Sequence, residues 1–287
     1  MLKIGVVIVD FFKADQVINN VKSILSQKFV NKVLSKNVEI FISILDNSCN
    51  KKNAEILKSG LEKLQNSNNN IILNVSKKNT GYTKGNNIGV KYLEELCNDL
   101  DYLFVINPDI ETKDKNTFSK MIAYLEKNKK VGILGPRQIH SNGEYAMTVR
   151  QFPNLFTQIF RRLWLRYLPF VKQVVEKDEM LKMDKAKTQE VDWLQSSFIC
   201  IRKILWNEIG GFNEQYFLFM ADAEICLEVW KKGYTVQFFS EAEVLADGIR
   251  CSGGGFLQFC KSWVLRQHLK DAWKYFLKHL FEKNGRK

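Results

Sequence analysis

The feature that most limits the fold of this chain is an alternation running through its first 110 residues. Short β-branched apolar runs take turns with segments of helical period. "IGVVIVDFF" has the run of a buried strand. "ADQVINNVKSILSQ" places Val17, Val21, Ile24 and Leu25 at helical spacing. The strand "VEIFISILDNS" ends at Asp46, the helix "KNAEILKSGLEKLQ" follows, and "IILNVS" is a third strand. A Gly/Asn turn then leads into the helix "NNIGVKYLEELC", and "YLFVINPDI" is a fourth strand. Such alternation predicts an α/β fold, a mostly parallel central sheet with helices on both faces. Sheets of that kind bind ligands beyond the carboxyl ends of their strands. Asp10, Asp46, Asn79 and Asp109 all fall at such ends.

The second half is less regular. "GILGPRQIHSNGEYAMTVRQFP" reads as a strand, a hairpin around Ser141–Gly143, and a strand into Pro153. "VEKDEMLKMDKAKTQE" reads as a polar surface loop, and "VDWLQSSFICIR" as another strand. The segment from Trp206 to Tyr234 predicts a helix, a Gly-Gly stop and a second helix from about Asp222. The cysteines form no C-x-x-C pair, which argues against a zinc or disulfide framework, and Cys200 and Cys226 fit core positions. No apolar run reaches the roughly 18 residues of a bilayer span. The N-terminal "MLKIGVVIVDFF" reads as a first strand rather than a signal peptide.

Charge adds a direction. The chain carries a net +12, and the stretch 256–287 alone holds eight Lys/Arg against two Asp/Glu. A basic surface suggests an anionic partner. The tail spaces Phe259, Trp263, Leu269, Trp273, Phe276 and Leu280 with Lys261, Lys270, Lys274 and Lys278 between them. It is either a helix packed on the domain or a helix at an anionic membrane surface, and the mixed aromatic-basic "IFRRLWLRYLPF" favours the second. No nucleic-acid-binding motif is present, so no nucleic-acid partner is expected.

Taken together, "LDNS", "NTGYTKGNNIG", "VINPDI", "VDWLQSSFICIR" and "GGFNEQYFLFMADAEICLEVWKKGY" resemble the family 2 glycosyltransferases of the GT-A fold. Among these they are similar to bacterial rhamnosyltransferases of O-antigen and capsule assembly. The glycine-asparagine block followed by NPD is the specific signal; either alone is weak. The resemblance implies inverting transfer of a sugar from a nucleoside diphosphate, with dTDP-L-rhamnose as donor and a lipid-linked or polysaccharide acceptor. It implies a cytoplasmic enzyme, peripheral on the inner face of the membrane. A UDP-dependent hexosyl or N-acetylhexosaminyl transferase is the alternative, and a glycosyltransferase-like protein of weakened catalysis is another. It also divides the chain into a catalytic domain at 1–245, with a donor half at 1–115 and an acceptor half at 116–245, and a basic amphipathic extension at 246–287.

On this reading Val9, Asp10, Asp46, Asn79, Gly81, Tyr82, Lys84, Asn86, Asn107 and Asp109 line the donor, Asp222 is the general base, and Arg150, Trp193 and Arg250 serve the acceptor or the diphosphate. Several have plainer readings beside the functional one. Asp46 suits an Asx turn, the three glycines a tight βα turn, Lys84 plain solvation, Trp193 a core position, and Asp222 a helix cap. Asp109 is expected to contact a divalent ion (Mg²⁺ or Mn²⁺) or the diphosphate, more weakly than a DxD pair because Asn107 offers only a neutral oxygen. Two positions depart from the family pattern. Ala221 replaces a Glu before the base, and Ala246 stands where a His is expected, so a second metal ligand is expected to be absent.

Overall fold

A computed structural model of the protein describes residues 1–29, 38–65, 70–154, 168–248 and 262–279. The expected alternation is present as β1 (Leu2–Asp10), α1 (Ala14–Leu25), β2 (Val38–Asp46), α2 (Lys51–Glu62), β3 (Asn70–Val75), α3 (Gly81–Leu96) and β4 (Tyr102–Ile106). There follow β5 (Ile110–Glu111), α4 (Thr117–Lys127), β6 (Val131–His140), β7 (Val149–Arg150), α5 (Pro169–Asp178), β8 (Gln189–Glu190), β9 (Trp193–Leu194) and β10 (Phe198–Arg202). The chain continues through α6 (Lys203–Ile209), α7 (Ala221–Lys231), β11 (Thr235–Ala246) and α8 (Trp263–Lys278). The segment expected to be a polar loop at 175–190 instead opens inside α5 and closes on β8.

Among the described residues the main sheet runs β3-β2-β1-β4-β10-β6-β11-β5, with β8 beside β11. β1 pairs in parallel with β2 and β4, and β6 with β11, while β10 runs antiparallel between β4 and β6. The period-two alternation of β1 divides the core. Ile4, Val6 and Ile8 face α1, α2 and α4, packing with Val21, Leu57 and Phe118. Val7 faces the other way, into a core built from α3, α6, α7 and α8, with Leu93, Trp206, Ile225 and Tyr275.

The glycine block takes a different form from the tight turn expected. Helix α3 begins at Gly81, and only this glycine of the three has a positive φ, +80°. Gly85 and Gly89 lie inside the helix, one turn apart, on the face against β1. A Cβ on Gly89 would stand 2.6 Å from Val7 Cγ1, and one on Gly85 would stand 3.0 Å from Val9 Cγ1. Interior glycines each cost a helix about 1 kcal/mol. Here they let the helix axis approach the strand.

Residue 246 is the last of β11, and Ala272 and Tyr275 of α8 are buried in the same core as α3 and α7. Cys49, Cys97, Cys200 and Cys226 are free thiols, the last three buried.

The α3–β1 contact makes a stability prediction. Val7 is β-branched and cannot swing aside cheaply. Gly89→Ala should lower unfolding free energy by about 1–3 kcal/mol, measured by urea denaturation, whereas Gly143→Ala meets no atom within 4 Å and loses only what its φ of +84° demands.

Candidate active site

The carboxyl ends of the parallel strands bring Asp10 and Asp46 side by side, as register partners of β1 and β2. Both are fully buried. Two neighbouring carboxylates without water need donors. Asn53, on the first turn of α2, supplies them: its Nδ2 donates to Asp10 Oδ2 at 2.6 Å and to Asp46 Oδ1 at 3.1 Å. Backbone N–H groups of Lys13 and Ser48 complete the set at 2.8 and 2.9 Å. Burial raises the Asp10 pKa, and the Asn53 amide works against that rise. Asp46 Oδ2 is buried with no hydrogen-bond partner.

Asn47 holds the next loop. Its side chain accepts from Thr80 N at 2.9 Å and donates to Asn79 Oδ1 at 3.2 Å, while Asn79 Oδ1 also accepts from Gly81 N at 2.9 Å. The "LDNS" turn and the "NTG" turn are thus one hydrogen-bonded unit. Phe11 and Phe12, exposed just beyond β1, stand edge to face with centroids 4.9 Å apart.

A cleft of about 320 Å³ opens beside these loops, lined by Tyr82, Asn107, Asp109, His140, Arg150, Ser196, Leu218, Phe219, Asp222 and Asp247 among others. Asp109 lies in this cleft with Asp247, the first residue past β11, close enough for their charges to act on each other. Burial and the Asp247 charge push Asp109 up to about 6. Lys13 stands 3.8 Å from Asp247 and Gln16 donates to it at 3.1 Å. Ala246 supplies no ligand, as its side chain requires, and the carboxylate of Asp247 follows one residue later in the same cleft. Two hard oxygen donors of this kind suit Mg²⁺ or Mn²⁺, which hold one or two protein carboxylates and take the rest of their shell from water and phosphate oxygens. No group of three or more His, Cys, Asp or Glu gathers for a metal among the described residues, so the residues fit a shared ion and not an all-protein cage.

In the same cleft stands Asp222, on the first turn of α7, its Oδ1 accepting from Ala223 N at 3.0 Å. Loss of water pushes its pKa up to about 6, against the pull of nearby backbone N–H groups and the Arg150 charge. Arg150 itself reaches Glu179 at 3.5 Å. Tyr82 bridges the halves of the cleft, its hydroxyl donating to Ser196 at 2.9 Å.

The other expected site residues are placed elsewhere. Trp193 is 8% exposed, packed in the core with its indole N–H on Gln151 O at 2.7 Å, and it does not line the cleft. Lys84 pairs with Glu214 at 2.9 Å on the surface. Asn86 is buried and donates to Tyr82 O within α3. Val9 lies under Gly85. Arg250 and the segment 155–167 lie outside the described residues. Sequence reasoning missed Asn47, Asn53 and Asp247. The last had a signal: it is the first polar residue past a strand end, the rule that found Asp46.

The family model for glycosyl transferase family 2 matches residues 6–181. An N-acetylglucosaminyl-diphospho-decaprenol L-rhamnosyltransferase of Mycobacterium tuberculosis is 25% identical over 58% of this chain and 55% of its own length. The rhamnosyltransferase WbbL of Escherichia coli K12 is 25% identical over 68% of this chain and 69% of its own. The chain thus spans little more than half the length of the mycobacterial relative it matches. A solved mannosyltransferase from Pyrobaculum calidifontis, in complex with GDP-Man and Mn²⁺, superposes on 98% of this chain and 75% of its own with a TM-score of 0.56 at 10% identity. It shares the fold.

The Asn53 bridge is testable alone. Asn53→Leu leaves two adjacent buried carboxylates short of donors and should destabilise the protein by about 2–4 kcal/mol at pH 7. The deficit should shrink as pH falls, because without the amide Asp10 is pushed further up and takes a proton. Denaturation at pH 7 and pH 5 measures both.

Proposed function

The chain belongs to glycosyl transferase family 2, and on that premise we propose that it moves a sugar from a nucleoside diphosphate to a carbohydrate hydroxyl with inversion. The observation that carries this reading is that one cleft is lined by Asp222 together with Asp109 and Asp247. The base and ribose lie along the loops that follow Asp10 and Asp46 and the Asn79 turn, which the buried Asp10–Asn53–Asp46 bridge holds in place. The diphosphate lies at Asp109 and Asp247, which would hold a divalent cation; when bound, that cation offsets the charge the leaving group gains.

Asp222 then acts on the acceptor. Its carboxylate accepts the proton of the attacking hydroxyl, whose oxygen bonds to the anomeric carbon as the carbon–oxygen bond to the diphosphate breaks and the electron pair leaves with it. One displacement inverts the centre. A base raised to about 6 is ionised at neutral pH yet a better proton acceptor than an ordinary carboxylate. The names of the relatives support L-rhamnose as the sugar and a lipid-diphosphate-linked acceptor; dTDP as the carrier is what the sequence resemblance implies. A UDP-sugar donor is the second reading.

The acceptor reading extends to the outside of α8. Its buried face carries His268, Asp271, Ala272 and Tyr275; its outward face carries Trp263, Arg266, Leu269, Lys270, Trp273 and Leu277, with Trp273 61% exposed. Amphipathic indoles and basic groups on one stripe suit the headgroup region of an anionic membrane. No described helix is long and apolar enough to cross one. We place the enzyme on the inner face of the bacterial membrane.

The donor reading is tested by thermal shift with dTDP, UDP and GDP, each with and without Mn²⁺. dTDP should stabilise most, Mn²⁺ should add to it, and Asp247→Asn should remove the Mn²⁺ increment; no shift with any nucleotide overturns it. Asp222→Asn should keep the nucleotide shift and lose transfer by at least about 10²-fold. Wild-type kcat should fall below pH about 6, as Asp222 takes up its proton. The sign for stability is opposite: the unfolded carboxyl has released its proton by then, so the fold weakens as pH rises from 3.8 to about 6.

Membrane contact is tested by flotation. The protein should float with phosphatidylglycerol vesicles and not with phosphatidylcholine, less so at high salt, and Trp263→Ala with Trp273→Ala should reduce it. Failure to float with either overturns the membrane reading and leaves the donor reading standing.

A further inference from the structure

Helix α8 lies past the residues matched by the family model, yet it reaches the loop that carries Asp222. Asp271 is completely buried in the middle of this helix. Its carboxylate accepts three successive backbone N–H groups: Phe217 at 3.2 Å, Leu218 at 2.9 Å and Phe219 at 3.0 Å. Gln267, one turn earlier, donates to the same carboxylate at 2.8 Å. Three consecutive peptide donors converging on one anion fix the direction of a loop, because each must point at the same place.

That loop has two other attachments. Phe217 O accepts from Tyr82 N at 2.7 Å, and Tyr216 O accepts from the Thr83 hydroxyl, so the first turn of α3 holds it from the opposite side. Gly81 leaves room for this: a Cβ there would lie 2.5 Å from Phe217 O. Beyond the loop, Leu218 and Phe219 line the cleft, Met220 takes a φ of +68°, and α7 begins at Ala221. A second tie follows within the first turn of α7. Glu224 is 3% exposed and receives Lys278 and His279 from the end of α8, together with Tyr216 Oη at 3.1 Å. Against burial, which would raise it, these partners hold Glu224 down to about 2.

We propose that Asp271 is a positioning residue for catalysis, which through the 217–219 backbone sets the place and the dryness of Asp222 without touching substrate. The inference rests on reading Asp222 as the base. Neither Asp271 nor Gln267 lines the cleft. In the wild-type arrangement the left-handed turn at Met220 is held from before by Asp271 and from after by Glu224. Replacing the carboxylate by an amide puts an N–H₂ among N–H groups and frees the loop to swing outward, carrying Asp222 toward water.

The test is Asp271→Asn, assayed for kcat across pH and for thermal shift with nucleotide. Tyr82 and Cys226, raised by burial, stay neutral, and saturating Mn²⁺ with nucleotide keeps Asp109, the other raised carboxylate of the cleft, ionised, so the acidic limb measured under those conditions reports Asp222. The expected result is a kcat lower by about 10- to 10²-fold, since small misplacements of a reacting group cost that much. The acidic limb should move from about 6 toward the ordinary carboxylate range of about 4. The nucleotide shift should be unchanged. Gln267→Ala, a gentler change to the same carboxylate, should move both quantities the same way by less, and decides the matter if Asp271→Asn does not fold. An unmoved acidic limb, whether or not kcat falls, overturns the proposal. Near-normal transfer by Asp222→Asn overturns instead the reading it rests on.

Discussion

The close seating of α3 on β1 governs the rest of the molecule. Gly85 and Gly89 bring the helix to within a methyl group of Val9 and Val7, and this fixes where the helix begins relative to the strand end. From that start, Gly81 turns the chain under Phe217, Asn79 meets Asn47, and the Tyr82 hydroxyl reaches Ser196 across the cleft. A helix one side chain farther out would break all three contacts together. The local cost of two glycines is repaid at a distance, in the register between donor loop and base loop.

The second theme is the removal of water from carboxylates. Asp10, Asp109 and Asp222 are all raised by burial, and each is met differently. Asp10 has a neutral amide and a peptide N–H. Asp109 has another carboxylate, an arrangement that is unfavourable until a cation or proton joins it. Asp222 has peptide N–H groups and the more distant Arg150. Asp10 is sealed beneath the loops, whereas Asp109 and Asp222 share one cleft, and groups that burial perturbs in a cleft are where chemistry is expected.

Much of this was legible in the chain. Alternating apolar runs are local signals, so β1 to β4 were readable, with Asp46, Asn79 and Asp109 at or just past their carboxyl ends. The glycine block was misread because a glycine's role depends on its neighbour in space: the same spacing serves a turn or a helix face, and only Val7 and Val9 decide. Asp247 was overlooked because the expected imidazole at 246 drew the reading one residue short. Trp193 had equal claims to core and ligand until its indole N–H was seen on Gln151 O. The Asp271 and Glu224 contacts join residues more than fifty positions apart, and nothing in local pattern marks a long-range partner.

The α8 contacts also impose an order on synthesis. The loop at 217–219 is translated well before Asp271, so on a growing chain its three peptide N–H groups have no anion to converge on. The Asp10–Asp46–Asn79 loops, built from residues before 110, can form while the chain is still being made, whereas Asp247 arrives only with the end of β11. The side of the cleft that holds Asp222 cannot be completed until α8 has emerged and docked, so on the growing chain the cleft takes shape in two steps.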